Sequence, residues 1–140
     1  MFDGVKLVGY AREWSASERK LAFVDLREST GVFELMGALE WFRHFGGSCK
    51  GKRLQLEMDN ESAVLALNRL FSPRPAMLDL VRSVRDEMFL LSACVRVVRV
   101  LGRFISVADR LSHNRIEDAK CIALREFGVP LVMVSRPPTS

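Results

Sequence analysis

The stretch Arg53–Leu70, RLQLEMDNESAVLALNRL, carries the clearest local signals for the fold of this chain. Its first six residues, Arg53–Met58, alternate between polar and apolar side chains, which is typical of a strand with one buried face. Asn60 or Ser62 can then cap a helix over Ala63–Leu70. We therefore predict a strand, a turn and a helix in direct succession.

Two strands and a long helix are predicted upstream of this stretch. The segments Lys6–Arg12 (KLVGYAR) and Lys20–Leu26 (KLAFVDL) are enriched in Val, Tyr and Phe, and the polar segment between them favours an antiparallel hairpin. Ser29 and Thr30 offer an N-cap, and apolar residues then recur at helical spacing as far as His44. These apolar residues are Val32, Leu35, Met36, Leu39 and Phe42.

The downstream half alternates helix and strand signals. Ser72–Pro75 ends the second helix, and apolar residues at helical spacing over Met77–Leu91 predict a third. Cys94–Leu101 (CVRVVRVL) is a valine-rich strand candidate, and a last helix is predicted from about Val107 to Phe127, ended by Gly128. A strand that returns through a helical crossover joins its sheet as a parallel neighbour. The order of elements, β-β-(β)-α-β-α-α-β-α with a third strand allowed before the long helix, therefore predicts an α/β fold, with a mixed five-stranded sheet and helices on both faces.

Length and composition restrict the class of protein. The chain has 140 residues, 49% of them apolar, and its 21 Lys+Arg and 17 Asp+Glu give a net charge of +4, which fits a globular domain. No apolar run approaches the ~18 residues that a membrane span needs. Three widely spaced cysteines without a CxxC pair favour reduced thiols in an intracellular protein, cytoplasmic or nuclear. We predict one domain over residues 1–128 and a C-terminal tail over 129–140.

Four carboxylates fall near predicted strand ends and helix starts, which is where sites of α/β proteins form. They are Asp3, Glu34, Asp59 and Asp109. A group of carboxylates without His or Cys favours hard cations such as Mg²⁺ or Mn²⁺. Two such ions can activate a water and stabilise the leaving oxygen of a phosphodiester.

Each carboxylate also has an ordinary structural interpretation. Asp3 can be a solvated residue near the terminus, and Glu34 can be a helix-start charge favoured by the helix dipole. Asp59 can end its strand or cap the helix that follows, and Asp109 can pair on the surface with an arginine such as Arg110. The residues alone leave both interpretations open.

Four stretches of this chain follow one another in an order that a known family shares. They are Asp3 with Gly9-Tyr10-Ala11, Glu28-Ser29-Thr30-Gly31-Val32-Phe33-Glu34-Leu35, Gly51–Val64 with its Asp59-Asn60-Glu61-Ser62-Ala63-Val64, and Ala108-Asp109-Arg110-Leu111-Ser112-His113. Together they resemble the RNase H domain of reverse transcriptases, most of all those of DIRS-type (tyrosine-recombinase) and related retroelements. The resemblance covers roughly residues 3–115, and the last two motifs are its most specific parts.

The resemblance implies an RNase H-like fold and an endonuclease that cleaves the RNA strand of RNA–DNA hybrids. Asp3, Glu34, Asp59 and Asp109 would be the catalytic residues and would hold two Mg²⁺ (or Mn²⁺) ions. A water activated by the metal would attack the scissile phosphate and leave a 3′-hydroxyl and a 5′-phosphate. The implied partners are the hybrid and the rest of a reverse transcriptase polyprotein, with no membrane.

Polar and basic residues near these motifs are candidates for substrate binding. They are Asn60, Lys52, Arg53 and Arg103. Arginine and lysine can contact phosphates, and an amide can meet a 2′-hydroxyl, although helix capping is an alternative for Asn60 and a solvated face is an alternative for the basic residues.

The sequence departs from the family just before the last motif. The family has His-(Ile/Val)-Pro-Gly-x-x-Asn there, whereas this chain has Arg99–Ile105 (RVLGRFI), in which Gly102 alone matches. This loss favours an alternative function, a domesticated or degenerate RNase H-like module that binds nucleic acid or protein without catalysis. Glu28 competes with Glu34 for the second carboxylate, and we prefer Glu34 because its spacing to Asp59 matches the family without a gap.

Overall fold

The computed structural model describes residues 1, 7–10, 15–22, 29–99 and 105–134. The chain divides into two compact units, a larger one over Trp14–Leu101 and a smaller one formed by Met1–Glu13 with Gly102–Ser140. In chain order the described elements are β1 (Leu7–Gly9), α1 (Ala16–Ala22), α2 (Ser29–Phe45), a 3₁₀ turn (Gly46–Cys49), β2 (Arg53–Met58), α3 (Glu61–Arg69), α4 (Pro75–Leu90), β3 (Cys94–Arg99), α5 (Ile105–Ser112), α6 (Ile116–Phe127) and β4 (Leu131–Met133).

The mixture of helices with short parallel strands confirms the predicted α/β class. The strands that the structure describes form two separate two-stranded parallel sheets, β2 with β3 and β1 with β4, and not the predicted five-stranded sheet. One physical reason lies in α1, which takes up residues that were assigned to a strand. The RNase H-like fold stays a prediction.

A parallel strand pair organises the larger unit. β2 and β3 pair from Arg53 opposite Cys94 to Met58 opposite Arg99. Parallel strands need a crossover, which α3 and α4 provide. The predicted bounds of β2 are confirmed, and β3 begins at the predicted residue.

The core of the larger unit is built on the apolar stripe of α2. The five apolar residues predicted from helical spacing are all buried, and Leu35 is completely inaccessible to solvent. They pack in one cluster with buried residues of α3 and α4, among them Val64, Val81 and Val84. Side chains at i, i+3 and i+4 share one face of a helix, which explains why this spacing predicts the buried face.

The predicted strand over Lys20–Leu26 is wrong for its first three residues, because Lys20–Ala22 belong to α1. A capping box starts this helix: the Ser15 amide donates to Glu18 Oε1 at 2.8 Å, and the Glu18 amide donates to Ser15 Oγ at 3.2 Å. The rest of the predicted strand, residues 23–28, lies outside the described residues. The hairpin between the two predicted strands therefore does not form as expected at residues 20–22.

The smaller unit differs from the sequence prediction at two places. The single predicted helix over 107–127 is two helices, α5 and α6, with Asn114 between them in the left-handed region at φ +58°. Asparagine tolerates this conformation because its short polar side chain can bond locally. The predicted tail contains β4, which pairs in parallel with β1 and buries Leu131 against Leu7, Val107 and Ile122.

Candidate active site

Glu34 joins α2 to the turn between β2 and α3. Its Oε1 accepts a hydrogen bond from the amide of Asp59 at 3.1 Å, and its Oε2 accepts one from the amide of Asn60 at 2.9 Å. Both amides lie at the start of α3, where unpaired N–H groups and the helix dipole favour a negative charge. The Glu34 carboxylate is therefore held by two charge-assisted hydrogen bonds from a neighbouring element.

A close approach between α2 and this turn makes the contact possible. A Cβ placed on Gly31 would lie 3.0 Å from Oδ1 of Asn60, closer than most side-chain contacts allow. Gly31 is one turn before Glu34 on the same helix, and Leu35 beside it is fully buried. A small residue at the crossing and a buried neighbour therefore fix the position from which Glu34 reaches the turn.

Asn60 caps α3, as one of the two sequence interpretations predicted. Its Oδ1 accepts a hydrogen bond from the Ala63 amide at 3.0 Å, and its backbone is extended, as an N-cap requires. The capping interaction occupies one of the two lone pairs of the side-chain oxygen, so a substrate hydroxyl can be met most directly by the amide NH₂ of Asn60.

Asp59 contacts both Glu34 and β3, and it is exposed to solvent. Its amide donates to Glu34, and its carbonyl oxygen accepts a hydrogen bond from Arg99 Nε at 3.3 Å. Both contacts involve the backbone of Asp59, so they place the residue beside Glu34 and leave its carboxylate exposed to solvent. Two sequence motifs 25 residues apart meet at this point.

The two carboxylates have the donor chemistry that a hard divalent cation prefers. Carboxylates that share a site repel each other, and a cation relieves this repulsion. Among the described residues there is no group of three or more His, Cys, Asp or Glu arranged to hold a metal ion. The donor types of Glu34 and Asp59 fit Mg²⁺ or Mn²⁺, and a metal site at these two residues stays a prediction.

Asp109 is in the smaller unit, on α5. Its Oδ2 lies 3.1 Å from Nη1 of Arg110, and its Oδ1 lies 3.6 Å from Nε2 of His113, one turn further along the chain. The pairing with Arg110 is the surface interaction that the sequence left open as an alternative. All three side chains are at least one third exposed, so these pairs contribute little to stability.

The remaining predicted site residues fall into two groups. Asp3 and Arg103, together with the alternative Glu28, lie outside the described residues. Lys52 and Arg53 are exposed at the amino end of β2. Arg53 lies six positions before Asp59, a distance of about 20 Å along the strand at ~3.3 Å per residue, so these two basic residues are not beside Asp59.

The sequence offers Arg99 only as one of the basic residues that could contact phosphates, and it does not place Arg99 beside Asp59, whose carbonyl oxygen it contacts. The signal that identifies it is the parallel register, in which Met58 lies opposite Arg99. Register between strands so far apart in the sequence follows from tertiary packing and is not readable from either strand alone.

Comparisons with protein-family models, with curated proteins and with solved structures find no match to this chain. Within the described ranges, no helix combines the length and apolar character needed to cross a membrane.

Proposed function

We propose that this protein is a metal-dependent endonuclease that cleaves the RNA strand of RNA–DNA hybrids, as the RNase H domain of a retroelement reverse transcriptase. The proposal includes an RNase H-like fold with a five-stranded sheet and the rest of the polyprotein as a partner. The observation that carries it is the pair of hydrogen bonds from the turn at Asp59 and Asn60 to the Glu34 carboxylate. These bonds unite two motifs on which the family resemblance depends.

The chemistry of the site supports phosphate hydrolysis. Glu34 and Asp59 would hold a divalent ion at the carboxyl end of β2, and the resemblance assigns Asp3 and Asp109 to the same function. Bound Mg²⁺ or Mn²⁺ supplies water activation and charge neutralisation at the scissile phosphate. Glu34 contributes a carboxylate that the start of α3 holds in place before substrate arrives.

The substrate class comes from the family resemblance, and it agrees with what a protein can recognise in an RNA-containing helix. RNA helices and hybrids present 2′-hydroxyls and phosphates across a wide, shallow minor groove, so a protein can recognise them by groove shape with little base readout. Asp59 is exposed to solvent, as a residue that acts on a duplex must be, because a duplex is too wide to enter an enclosed cavity.

Cleavage of a labelled RNA–DNA hybrid in Mg²⁺ or Mn²⁺ tests the proposal. We expect the protein to cut the RNA strand, and we expect Asp59→Asn to reduce the rate by at least ~100-fold, because the amide cannot supply the charge that binds the ion. Asp79→Asn, on the exposed face of α4, is the matched control and should cut at the parent rate.

Three outcomes would contradict the proposal or part of it. Equal cutting by the parent and Asp59→Asn would mean that the nuclease is a contaminant or that the site is elsewhere. Cutting of single-stranded RNA at the same rate would contradict the substrate class. A folded parent protein that binds the hybrid and never cuts it would favour the non-catalytic module.

The non-catalytic module is the second candidate function, and a specific observation favours it. The Asp109 carboxylate, one of the four expected metal ligands, contacts Arg110 and His113 instead. The departure from the family motif over Arg99–Ile105 points in the same direction. In this case, hybrid binding would be unchanged when Mg²⁺ is removed.

A further inference from the structure

Arg99 ends β3 at the same edge of the sheet at which Asp59 follows β2. The two strands are parallel and Met58 lies opposite Arg99, so the residues after Met58 emerge beside the Arg99 side chain. The ends of parallel strands are where α/β proteins bind ligands.

The guanidinium of Arg99 is oriented by two contacts with the turn. Its Nε donates to the Asp59 carbonyl oxygen at 3.3 Å, and its Nη1 lies 3.4 Å from Oε2 of Glu61 in the first turn of α3. A guanidinium carries five N–H donors, so three donors lie beyond these two bonds. The side chain is 57% exposed, so the other donors can be reached from solvent.

The carboxylates at this end of the sheet create a negative charge that Arg99 can offset. Glu34, Asp59 and Glu61 are three carboxylates around one turn, and they repel a polyanionic substrate that approaches Asp59. Arg99 contributes a permanent cation that touches the same turn. Its planar donor fork matches the two free oxygens of a phosphodiester better than a lysine ammonium does.

We propose that Arg99 is a phosphate-binding residue of this site, which contacts the nucleic-acid backbone beside Asp59 through the guanidinium N–H groups that face solvent. The inference rests on the proposed function for the identity of the substrate, a phosphodiester backbone. In this proposal, the positive charge of Arg99 offsets the repulsion between the exposed carboxylates and the phosphates of the substrate.

Hybrid binding tests this proposal separately from cleavage. The probe is a fluorescently labelled RNA–DNA hybrid titrated in EDTA at several salt concentrations, with cleavage in Mg²⁺ measured in parallel. The variants are Arg99→Ala, Arg99→Lys and the control Arg96→Ala, which removes the same charge from an exposed position in the middle of β3. Thermal unfolding of each variant shows whether the fold is intact.

We expect Arg99→Ala to weaken hybrid binding by about 3- to 10-fold near 0.1 M salt and to lower the salt slope by about one. Arg99→Lys should restore the salt slope while regaining only part of the affinity, because the charge returns without the fork. Arg96→Ala should bind within about twofold of the parent. In the cleavage assay, the loss in Arg99→Ala should be mainly in KM.

The outcomes separate the two proposals. If the parent cleaves and Arg99→Ala binds with parent affinity and salt slope, the Arg99 assignment is wrong and the nuclease stands. If the parent never cleaves and Arg99→Ala still weakens binding as expected, the nuclease fails and the phosphate contact stands. Equal losses in Arg99→Ala and Arg96→Ala would overturn the assignment in favour of a diffuse charge effect. If folded Arg99→Lys binds the hybrid with the same affinity as the parent, the guanidinium fork has no role in binding.

Discussion

Glu34 and Asp109 are both predicted metal ligands, and the structure holds them in different ways. The Glu34 carboxylate accepts hydrogen bonds from two backbone amides of another element, at the start of α3. The Asp109 carboxylate contacts Arg110 and His113, both on its own stretch of chain. The first carboxylate is therefore placed by the tertiary fold, whereas the second is paired by its local sequence.

Because of this difference, variants of the two residues should affect the free energy of unfolding to different extents. Removing a carboxylate that anchors two elements changes the free energy of unfolding, because two backbone amides, one exposed and one half-buried, lose a charged acceptor. Removing a carboxylate in an exposed local pair changes that free energy little. Any effect of an Asp109 variant on cleavage would then report on function alone, whereas effects of Glu34 variants must be corrected for stability.

The largest effect is expected from removing the packing behind Glu34. Leu35→Ala deletes a fully buried side chain from the core of the larger unit and should lower the free energy of unfolding by about 2–5 kcal/mol. Urea unfolding followed by circular dichroism measures this. Leu65→Ala, at a position 42% exposed on α3, is the control, and its free energy of unfolding should fall much less. A loss below about 1 kcal/mol in Leu35→Ala would mean that α2 does not anchor the core as described.

An intermediate effect is expected from Glu34 itself. Glu34→Ala removes the acceptor of two amides and should destabilise the protein by about 1.5–3 kcal/mol, while Glu34→Gln keeps one neutral acceptor and should lose about half as much. Urea unfolding again gives the measurement, with Glu57→Gln on the exposed side of β2 as the control. Equal stability of parent and Glu34→Ala would show that these hydrogen bonds do not hold α2 to the turn.

The smallest effect on stability is expected at Asp109. Asp109→Asn should change the free energy of unfolding by less than about 0.5 kcal/mol, because its partners are exposed. Asp118→Asn, which removes a similar exposed pair with Arg115, is the matched control. If Asp109 serves cleavage as the resemblance implies, Asp109→Asn should lose at least tenfold in rate at unchanged stability, and Asp118→Asn should not. Parent-like cleavage by Asp109→Asn would remove Asp109 from the site.

The sequence predicted best where a single element carries its own periodicity. The apolar spacing of α2 and the alternation of β2 identified both elements, because each has one buried face. The joining of Glu34 and Asp59 was also foreseeable, since a strand end and a helix meet at the edge of a sheet.

The sequence predicted least where capping or pairing overrides side-chain preference. At Lys20–Ala22 the apolar character favoured a strand, yet the reciprocal bonds of Ser15 and Glu18 start a helix there. The Ser-x-x-Glu spacing was a readable signal for it. The role of Arg99 and the pairing of β4 with β1 depend on partners far away in the sequence, which no local pattern encodes.

The parallel register of β2 and β3 has a consequence for how the site assembles. Paired residues such as Met58 and Arg99 are 41 positions apart, and α3 and α4 lie within the loop that the pairing closes. Closing such a loop costs chain entropy that is recovered only when the strands pair. We therefore expect the contact of Arg99 with the turn to form late in folding, after Asn60 has capped α3. In nascent or partly unfolded chains, the carboxylates of the turn would then lack the neighbouring Arg99 guanidinium.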